Sequence, residues 1–228
     1  MRSVRAGSYP GLVFRRVPIA LLGCLALGGL LSAPGARVSP TSTPSLQQLL
    51  DRAGQDGVPF DPELASVSCP VERGPVKEGS DADRYKVSTT VVSTTIAYLR
   101  GRPKPSSYPK NNRIVPYELH IYALPAVLKQ YKIESDGDIH LVIKDSSGRS
   151  MIAEIPYGSC VPTTSRWKSA IAATRTTFGH YYSATTSWHY VSRSISIKGI
   201  AMFDVLHGQT GVAPNGIELH PVIGITFR

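Results

Sequence analysis

The sequence predicts a mainly β domain, an OB-like five-stranded barrel with an extra N-terminal segment. Three observations lead to this prediction: a long first run of strand-forming residues, a clear hairpin after it, and an amphipathic helix before the last two strands. The order strand, strand, strand, helix, strand, strand is that of OB-type barrels, in which the helix plugs one end. The sequence shows no glycine-rich phosphate loop, no alternation of strands with helices and no internal repeat.

The first 36 residues have the pattern of a secretory signal peptide. Four arginines precede an apolar run over residues 17–31, and small residues follow it. An uncleaved membrane anchor is the alternative, because the run is at the short edge of what spans a bilayer. We expect a secreted or periplasmic protein with a flexible linker over residues 37–68, rich in Pro, Ser and Thr. One domain then covers residues 69–228, with no membrane span expected in it.

Export would place the remaining cysteines in an oxidising compartment. Because Cys24 lies within the signal, Cys69 and Cys160 form an even pair, and a disulfide is the simplest interpretation. From Cys69 onward the chain carries 19 Lys and Arg against 12 Asp and Glu, a net charge of +7. A positive domain favours anionic polymers such as nucleic acid or glycan as partners. The charges are scattered, so a role in solubility is the alternative.

The sequence of the first half of the domain predicts two strands separated by a loop. Residues 87–99 are β-branched and Thr-rich, as in a strand. Residues 100–113 combine basic residues with three prolines and predict a surface loop. Residues 114–133 form a long strand, which we expect to bend near Pro125, because proline cannot donate to a ladder.

The clearest element is a hairpin over residues 138–156, with its turn at residues 146–148. Apolar residues alternate on both strands. They share one face if Leu141 lies opposite Ala153, which places His140 opposite Glu154 on the other face. A register shifted by one residue would place Glu154 on the apolar face of the hairpin.

A helix is predicted over residues 165–182, with Ser165 as its N-cap. An apolar stripe at helical spacing is most simply explained by core packing: Trp167, Ile171, Thr174, Phe178 and Tyr182. Residues 190–203 then return to strand. The C-terminal end continues as a Gly- and Asn-rich loop and a last strand, in which Glu218 and His220 project from the face opposite the apolar residues.

Several motifs run through the domain, and the most specific is HGQTGVAPNGIELHPV over residues 207–222. The others are Cys69 with Glu72-Arg73 and Pro75-Val76-Lys77, TTIA at 94–97, Asp136-Gly137-Asp138 with His140, MIAEIP at 151–156, and Cys160. In these motifs, residues 69–227 resemble a family of secreted bacterial proteins of uncharacterised activity. The resemblance implies an exported barrel. The chain departs from the family pattern at Gly74, where a Trp is expected, and at Glu78, where a Thr is expected.

Titratable and polar groups gather in two adjacent regions, which makes them candidates for a functional site. The candidate binding residues are Asp136, Asp138, His207, Asn215 and Glu218, with Asp204 at the loop entrance. The candidate catalytic residues are His140, Glu154 and His220. The histidines that would ligate a divalent metal ion, the candidate cofactor, are His140, His207 and His220.

Three functions fit these residues, and whether the protein is an enzyme stays open. The first is an exported OB-like module that binds an anionic or extended ligand. The second is a metal-dependent hydrolase, in which a metal ion activates water against a phosphodiester or a histidine acts as general base. The third is a structural envelope protein, in which Asp136 and Asp138 cap a turn and Asn215 fixes a loop. No HExxH or similar motif supports a metal site.

Overall fold

A computed structural model describes residues 67–228. The predicted signal peptide, Cys24 and nearly all of the predicted linker lie outside these residues. The elements in chain order are α1 (Gly74–Lys77), β1 (Ser88–Ser93), α2 (Ile96–Arg100), a 3-10 turn (Tyr117–Leu119), β2 (His120–Ile133), β3 (Ile139–Lys144), β4 (Ser150–Ile155), α3 (Lys168–Tyr181), β5 (His189–Phe203) and β6 (Ile217–Phe227). None of the helices described here is both long and apolar enough to cross a membrane.

The six strands of residues 67–228 form one mixed sheet in the order β1-β2-β3-β4-β6-β5, which confirms the mainly β prediction. A further antiparallel pairing of β2 with β5 joins five of the strands into a closed ring. Within the ring, β4 and β6 run parallel and the other pairs are antiparallel. β1 lies outside the ring and pairs in parallel with β2.

The predicted hairpin register is confirmed: Leu141 pairs with Ala153 and His140 with Glu154. The apolar face joins the main core, where Leu141, Ile143 and Met151 are fully buried. The opposite face is buried too, with His140 only 2% exposed. Other parts of the chain therefore cover the polar face of the hairpin.

One prediction in the first half of the domain is wrong in detail. Residues 96–100 form helix α2 rather than the end of a strand, with Thr95 accepting a hydrogen bond from the Tyr98 amide. The bend near Pro125 stays a prediction, and the pairing of β2 with β3 and β5 shifts register between Leu128 and Gln130. Pro125 follows the stretch that pairs with β1 and precedes the stretch that pairs with β3. Between these two stretches one side of β2 has no strand neighbour, and a residue without an amide hydrogen is tolerated there.

The predicted helix exists but begins at Lys168 rather than Ser165. The Ser165 hydroxyl instead donates to the Glu78 carbonyl (2.6 Å) and accepts from the Trp167 amide (3.2 Å). It therefore links the N-terminal end of the helix to residues 69–87, here called the N-terminal segment. The core-packing interpretation of the stripe is supported, because Phe178 and two of its neighbours in the stripe are buried.

Covalent and ionic links hold the N-terminal segment to the ring. The predicted disulfide between Cys69 and Cys160 is present. Arg73 is buried and places its guanidinium against both carboxylate oxygens of Glu118, at 2.7 and 2.8 Å. Arg113, predicted in a solvated loop, is instead 4% exposed and pairs with Asp81 at 2.8 Å.

Candidate functional site

The polar face of β3, β4 and β6 carries a buried cluster of histidines and carboxylates. Strand alternation turns His140, Glu154, Glu218 and His220 away from the main core, since their neighbours in sequence fill it. Residues 204–216, here called the covering loop, lie over His140. Gly211 of this loop packs so closely on Val142 that a Cβ at residue 211 would lie 2.6 Å from Val142 Cγ1.

His140 links the cluster to the covering loop. Its Nε2 lies 3.0 Å from the Thr210 carbonyl oxygen, and its Nδ1 lies 2.8 Å from Glu154 Oε1. A carbonyl only accepts, so Nε2 carries a proton and donates. Burial lowers the pKa of His140, but the bonded Glu154 outweighs burial and raises it. The ring packs edge-to-face with Trp188, with ring centroids 5.4 Å apart.

His220 is fully buried and faces carboxylates on both sides of its ring. Nδ1 lies 3.1 Å from Glu154 Oε2 and 3.0 Å from Glu218 Oε1. Nε2 lies 3.2 Å from Asp138 Oδ2, but the two atoms are not aligned for a hydrogen bond. Neither has another hydrogen-bond partner within residues 67–228. The other Asp138 oxygen accepts from the Tyr157 amide at 2.7 Å, which fixes the carboxylate in place.

The charges in the cluster are strongly coupled. Burial opposes the positive charge on His220, yet the neighbouring carboxylates of Asp138, Glu154 and Glu218 hold its pKa well above the usual value. Burial raises the pKa of Glu154, but His140 and His220 outweigh burial and hold it well below its usual range. Burial and the charge of Glu154 raise the pKa of Glu218 to about 7. Two carboxylates that share one imidazole therefore differ in their affinity for a proton.

A largely buried ammonium, that of Lys77, lies near the carboxylates of the cluster. Lys77 Nζ is 3.5 Å from Asp204 Oδ2. Burial lowers the pKa of Lys77, but the surrounding carboxylates outweigh burial and hold it above the usual value, the contributors being Glu218, Glu154, Asp204 and Asp136. The cluster is thus an acidic interior that attracts cations.

Three of these side chains converge closely enough to hold one metal ion. Asp138, Glu154 and His220 each offer a ligand atom within 4.8 Å of the others, and all three are buried. An imidazole with two carboxylates is a ligand set that suits zinc, and the carboxylates also suit manganese.

Other predicted site residues have different surroundings. The structure places His207 on the exposed part of the covering loop, and this residue lies outside the group that converges on one point. The side-chain amide of Asn215 donates to the backbone carbonyls of Leu99 (3.0 Å) and Arg102 (2.9 Å). It therefore fixes the loop rather than contacting a ligand. Asp136 is half-buried at the rim, where it accepts from the amide two residues ahead.

Sequence reasoning did not include Lys77, the Thr210 carbonyl or Trp188 in the site. Lys77 belongs to a motif noted in the sequence, but no local signal shows that its side chain reaches β6. A backbone carbonyl carries no sequence signal at all. Trp188 lies between the predicted helix and the next predicted strand, where no pattern connects it to the hairpin.

No protein-family model and no curated protein matches this sequence. The function is therefore inferred from the geometry of the site.

Proposed function

We propose that this chain is an exported, OB-like barrel protein that binds one divalent metal ion through Asp138, Glu154 and His220. The closed ring β2-β3-β4-β6-β5, with α3 between the third and fourth of its strands in sequence, supports the OB-like assignment. The disulfide and the signal-like residues 1–36 support export.

The observation that carries this proposal is the contact between Asp138 Oδ2 and His220 Nε2. Both atoms are buried without an aligned hydrogen bond, which is costly for such groups. They are 3.2 Å apart. Two ligands on one tetrahedral zinc ion, each about 2.0–2.1 Å from it, lie about 3.3 Å apart. The spacing therefore fits two neighbouring ligands of a metal ion.

The surrounding groups would orient these ligands. Glu218 is placed to accept a hydrogen bond from His220 Nδ1, which leaves Nε2 free to ligate. His140 Nδ1 donates a hydrogen bond to Glu154 Oε1, which fixes the orientation of that carboxylate. Zinc or manganese is the ion expected for this ligand set.

The hydrolase hypothesis has less support in this geometry. His140, Glu154 and His220 are at most 8% exposed, and the covering loop bonds directly to His140. A phosphodiester would have to displace that loop before it reached these residues.

Binding of an anionic polymer is a second proposal, supported by the net charge and by one surface feature. OB-type barrels bind ligands on a strand face that is covered in this chain. A polymer would therefore bind elsewhere. Tyr85 is 71% exposed, and Arg84 lies 4.6 Å from the centre of its ring. An exposed aromatic beside a cation suits stacking on bases or sugars.

Metal titration of the full chain, stripped with chelator and with its disulfide intact, tests the metal site. We expect one Zn²⁺ or Mn²⁺ ion per chain by calorimetry. Asp138→Asn and His220→Gln should each weaken binding by about 100-fold or more, beyond the range for residues that only orient a ligand. His207→Gln, which changes an exposed histidine, should leave affinity unchanged. Absence of saturable binding, or equal affinity in all variants, overturns the proposal.

A further inference from the structure

We infer that two triplets of the same pattern, Arg84-Tyr85-Lys86 and Arg166-Trp167-Lys168, form one binding site for single-stranded nucleic acid. Each triplet places an aromatic residue between an arginine and a lysine. This site is where the anionic polymer of the second proposal above would bind, so it rests on that proposal. It adds the residues that hold the polymer and the class to which the polymer belongs.

Hydrogen bonds join the two triplets, which are 82 residues apart in the chain. Arg166 Nη1 donates to the backbone carbonyls of Arg84 (2.9 Å) and Val87 (2.8 Å). The Arg166 amide donates to the Gly79 carbonyl at 3.1 Å. The disulfide links the same two parts of the chain covalently. The N-terminal segment and the residues before α3 are therefore held side by side at this place.

Aromatic rings and guanidinium groups alternate across the joined triplets. Arg166 Cζ lies 4.8 Å from the centre of the Trp167 ring and 5.8 Å from the centre of the Tyr85 ring. Arg84 Cζ lies 4.6 Å from the centre of the Tyr85 ring. Tyr85 is 71% exposed, so much of its ring is open to a ligand. An exposed ring beside arginines is the arrangement on which the bases of single strands stack.

The guanidinium of Arg166 is fixed at one nitrogen and free at the other two. Nη1 is held by the two carbonyls, whereas Nε and Nη2 have no hydrogen-bond partner within residues 67–228. Both free atoms reach the surface, since unlike Arg84 Nε they are not buried. The Nε–Nη2 edge of an arginine matches two oxygens of a phosphate. Arg166 is therefore placed to bind a phosphate close to the ring of Tyr85.

Burial of acidic residues makes the surface more positive than the net charge suggests. Seven of the twelve Asp and Glu residues of 69–228 are buried, against two of the nineteen Lys and Arg residues. Within residues 67–228, only one of the four cations in the triplets pairs with a carboxylate: Lys86 lies 2.7 Å from Asp83. Such a surface attracts phosphates. Flat rings beside a free guanidinium edge favour unstacked bases over a sulfated glycan, because every base has a π-face.

Tyr85→Ala, with Tyr190→Ala as matched control, tests the stacking platform. Tyr190 is equally exposed, at 73%, and lies on β5. The full chain is titrated with a labelled oligothymidine of about 12 nucleotides, within the length that one barrel covers. Affinity should fall roughly 5- to 100-fold with Tyr85→Ala and stay unchanged with Tyr190→Ala. Both variants remove an exposed ring, so both should melt at the wild-type temperature.

Arg166→Gln, with Arg193→Gln as matched control, tests the phosphate contact. Arg193 is an exposed arginine of β5. The slope of log K against log salt should become shallower by about 0.7 with Arg166→Gln, the value for one phosphate of a single strand. Arg193→Gln and Tyr85→Ala should keep the wild-type slope, because neither removes a phosphate contact. An unchanged slope with Arg166→Gln would overturn the role of that arginine.

The outcomes separate this site from the proposal on which it rests. If the wild type binds neither the oligonucleotide nor heparin, the second proposal fails and this site fails with it. If the oligonucleotide binds Tyr85→Ala as tightly as wild type, or if Tyr190→Ala loses binding instead, the polymer binds elsewhere and only this site is overturned. If heparin binds and the oligonucleotide does not, the class of polymer is wrong.

Discussion

The imidazole of His220 determines how charge is arranged in the cluster. Its two nitrogens face Glu154, Glu218 and Asp138, which as carboxylates can only accept hydrogen bonds. A neutral ring has one N–H and cannot satisfy both sides. The ring must therefore carry a second proton, share one with a carboxylic acid, or bind a metal ion. A bound metal replaces the proton on Nε2, so metal binding releases protons.

The metal-free protein should lose stability as pH rises from 5 to 8. The folded-state pKa of His220 lies above 6.5, so its stabilising contribution is complete below 6.5 and is lost above it. The pKa of Glu218 is raised from 4.5 to about 7, so its contribution is lost between those values. Urea unfolding in chelator at several pH values measures the slope. Glu218→Gln should flatten it, and an unchanged or rising slope would contradict the charge assignment.

Only part of this residue-level arrangement could be predicted from the sequence. The pairing of His140 with Glu154 follows from alternation within one hairpin, which is a local property. The approach of His220 depends on the parallel pairing of Ala153 with Leu219, whose register no turn between β4 and β6 fixes. His207, assigned as a ligand because of its residue type, is turned to solvent by the loop.

The covering loop is the element that separates the cluster from solvent, and glycines shape it. Gly216 has φ +76°, and a Cβ there would lie 2.4 Å from the Asp204 carbonyl oxygen. Gly208 has φ +91° but open space around it. Both positions favour glycine for the backbone angle, while only Gly216 also requires it for space.

Gly216→Ala should therefore destabilise the protein more than Gly208→Ala. The φ angle alone costs roughly 1–2 kcal/mol in each variant. The contact with the Asp204 backbone should add roughly 1–3 kcal/mol at Gly216, as strained positions do. Thermal unfolding of both variants checks the difference. Equal melting temperatures would show that the loop relaxes freely and does not hold the site closed.

Elements with a single periodicity were predictable, and mixed stretches were not. Residues 87–99 are rich in β-branched residues, yet the pairing with β2 ends at Ser93 and a helix begins at Ile96. Thr95 as N-cap, with Ile96 and Leu99 one turn apart and buried, is the local signal that could have revealed α2. The β-branched composition of the stretch favoured a strand prediction over this helix signal.

At the scale of the whole molecule, residues 67–228 form a closed ring of strands with the N-terminal segment bound to it. The closed ring follows from the order of the strands and could be predicted. The attachment of the N-terminal segment could not be predicted, because it depends on buried pairs such as Arg73 with Glu118, 45 residues apart. Nothing in the local sequence of Arg73 distinguishes a buried arginine from a solvated one. Arg73 also has φ +51°, a strained conformation that these contacts hold in place.

Removing the disulfide should destabilise the domain substantially. Cys69 and Cys160 are separated by 91 residues, and closing a loop of that length contributes roughly 4–5 kcal/mol in the chain-entropy model. We expect the Cys69→Ser/Cys160→Ser variant to unfold at clearly lower urea. An unchanged urea midpoint would contradict the expected contribution of this loop closure.

The two tryptophans of the chain lie in different segments, Trp167 just before α3 and Trp188 just before β5. Trp188 packs edge-to-face with His140, and Trp167 packs on Gly79 of the N-terminal segment. The protein therefore contains its own pair of optical reporters, one for the imidazole that bonds to the covering loop and one for the N-terminal segment. Replacing either ring by Phe would let emission spectra follow these two places separately, without an added label.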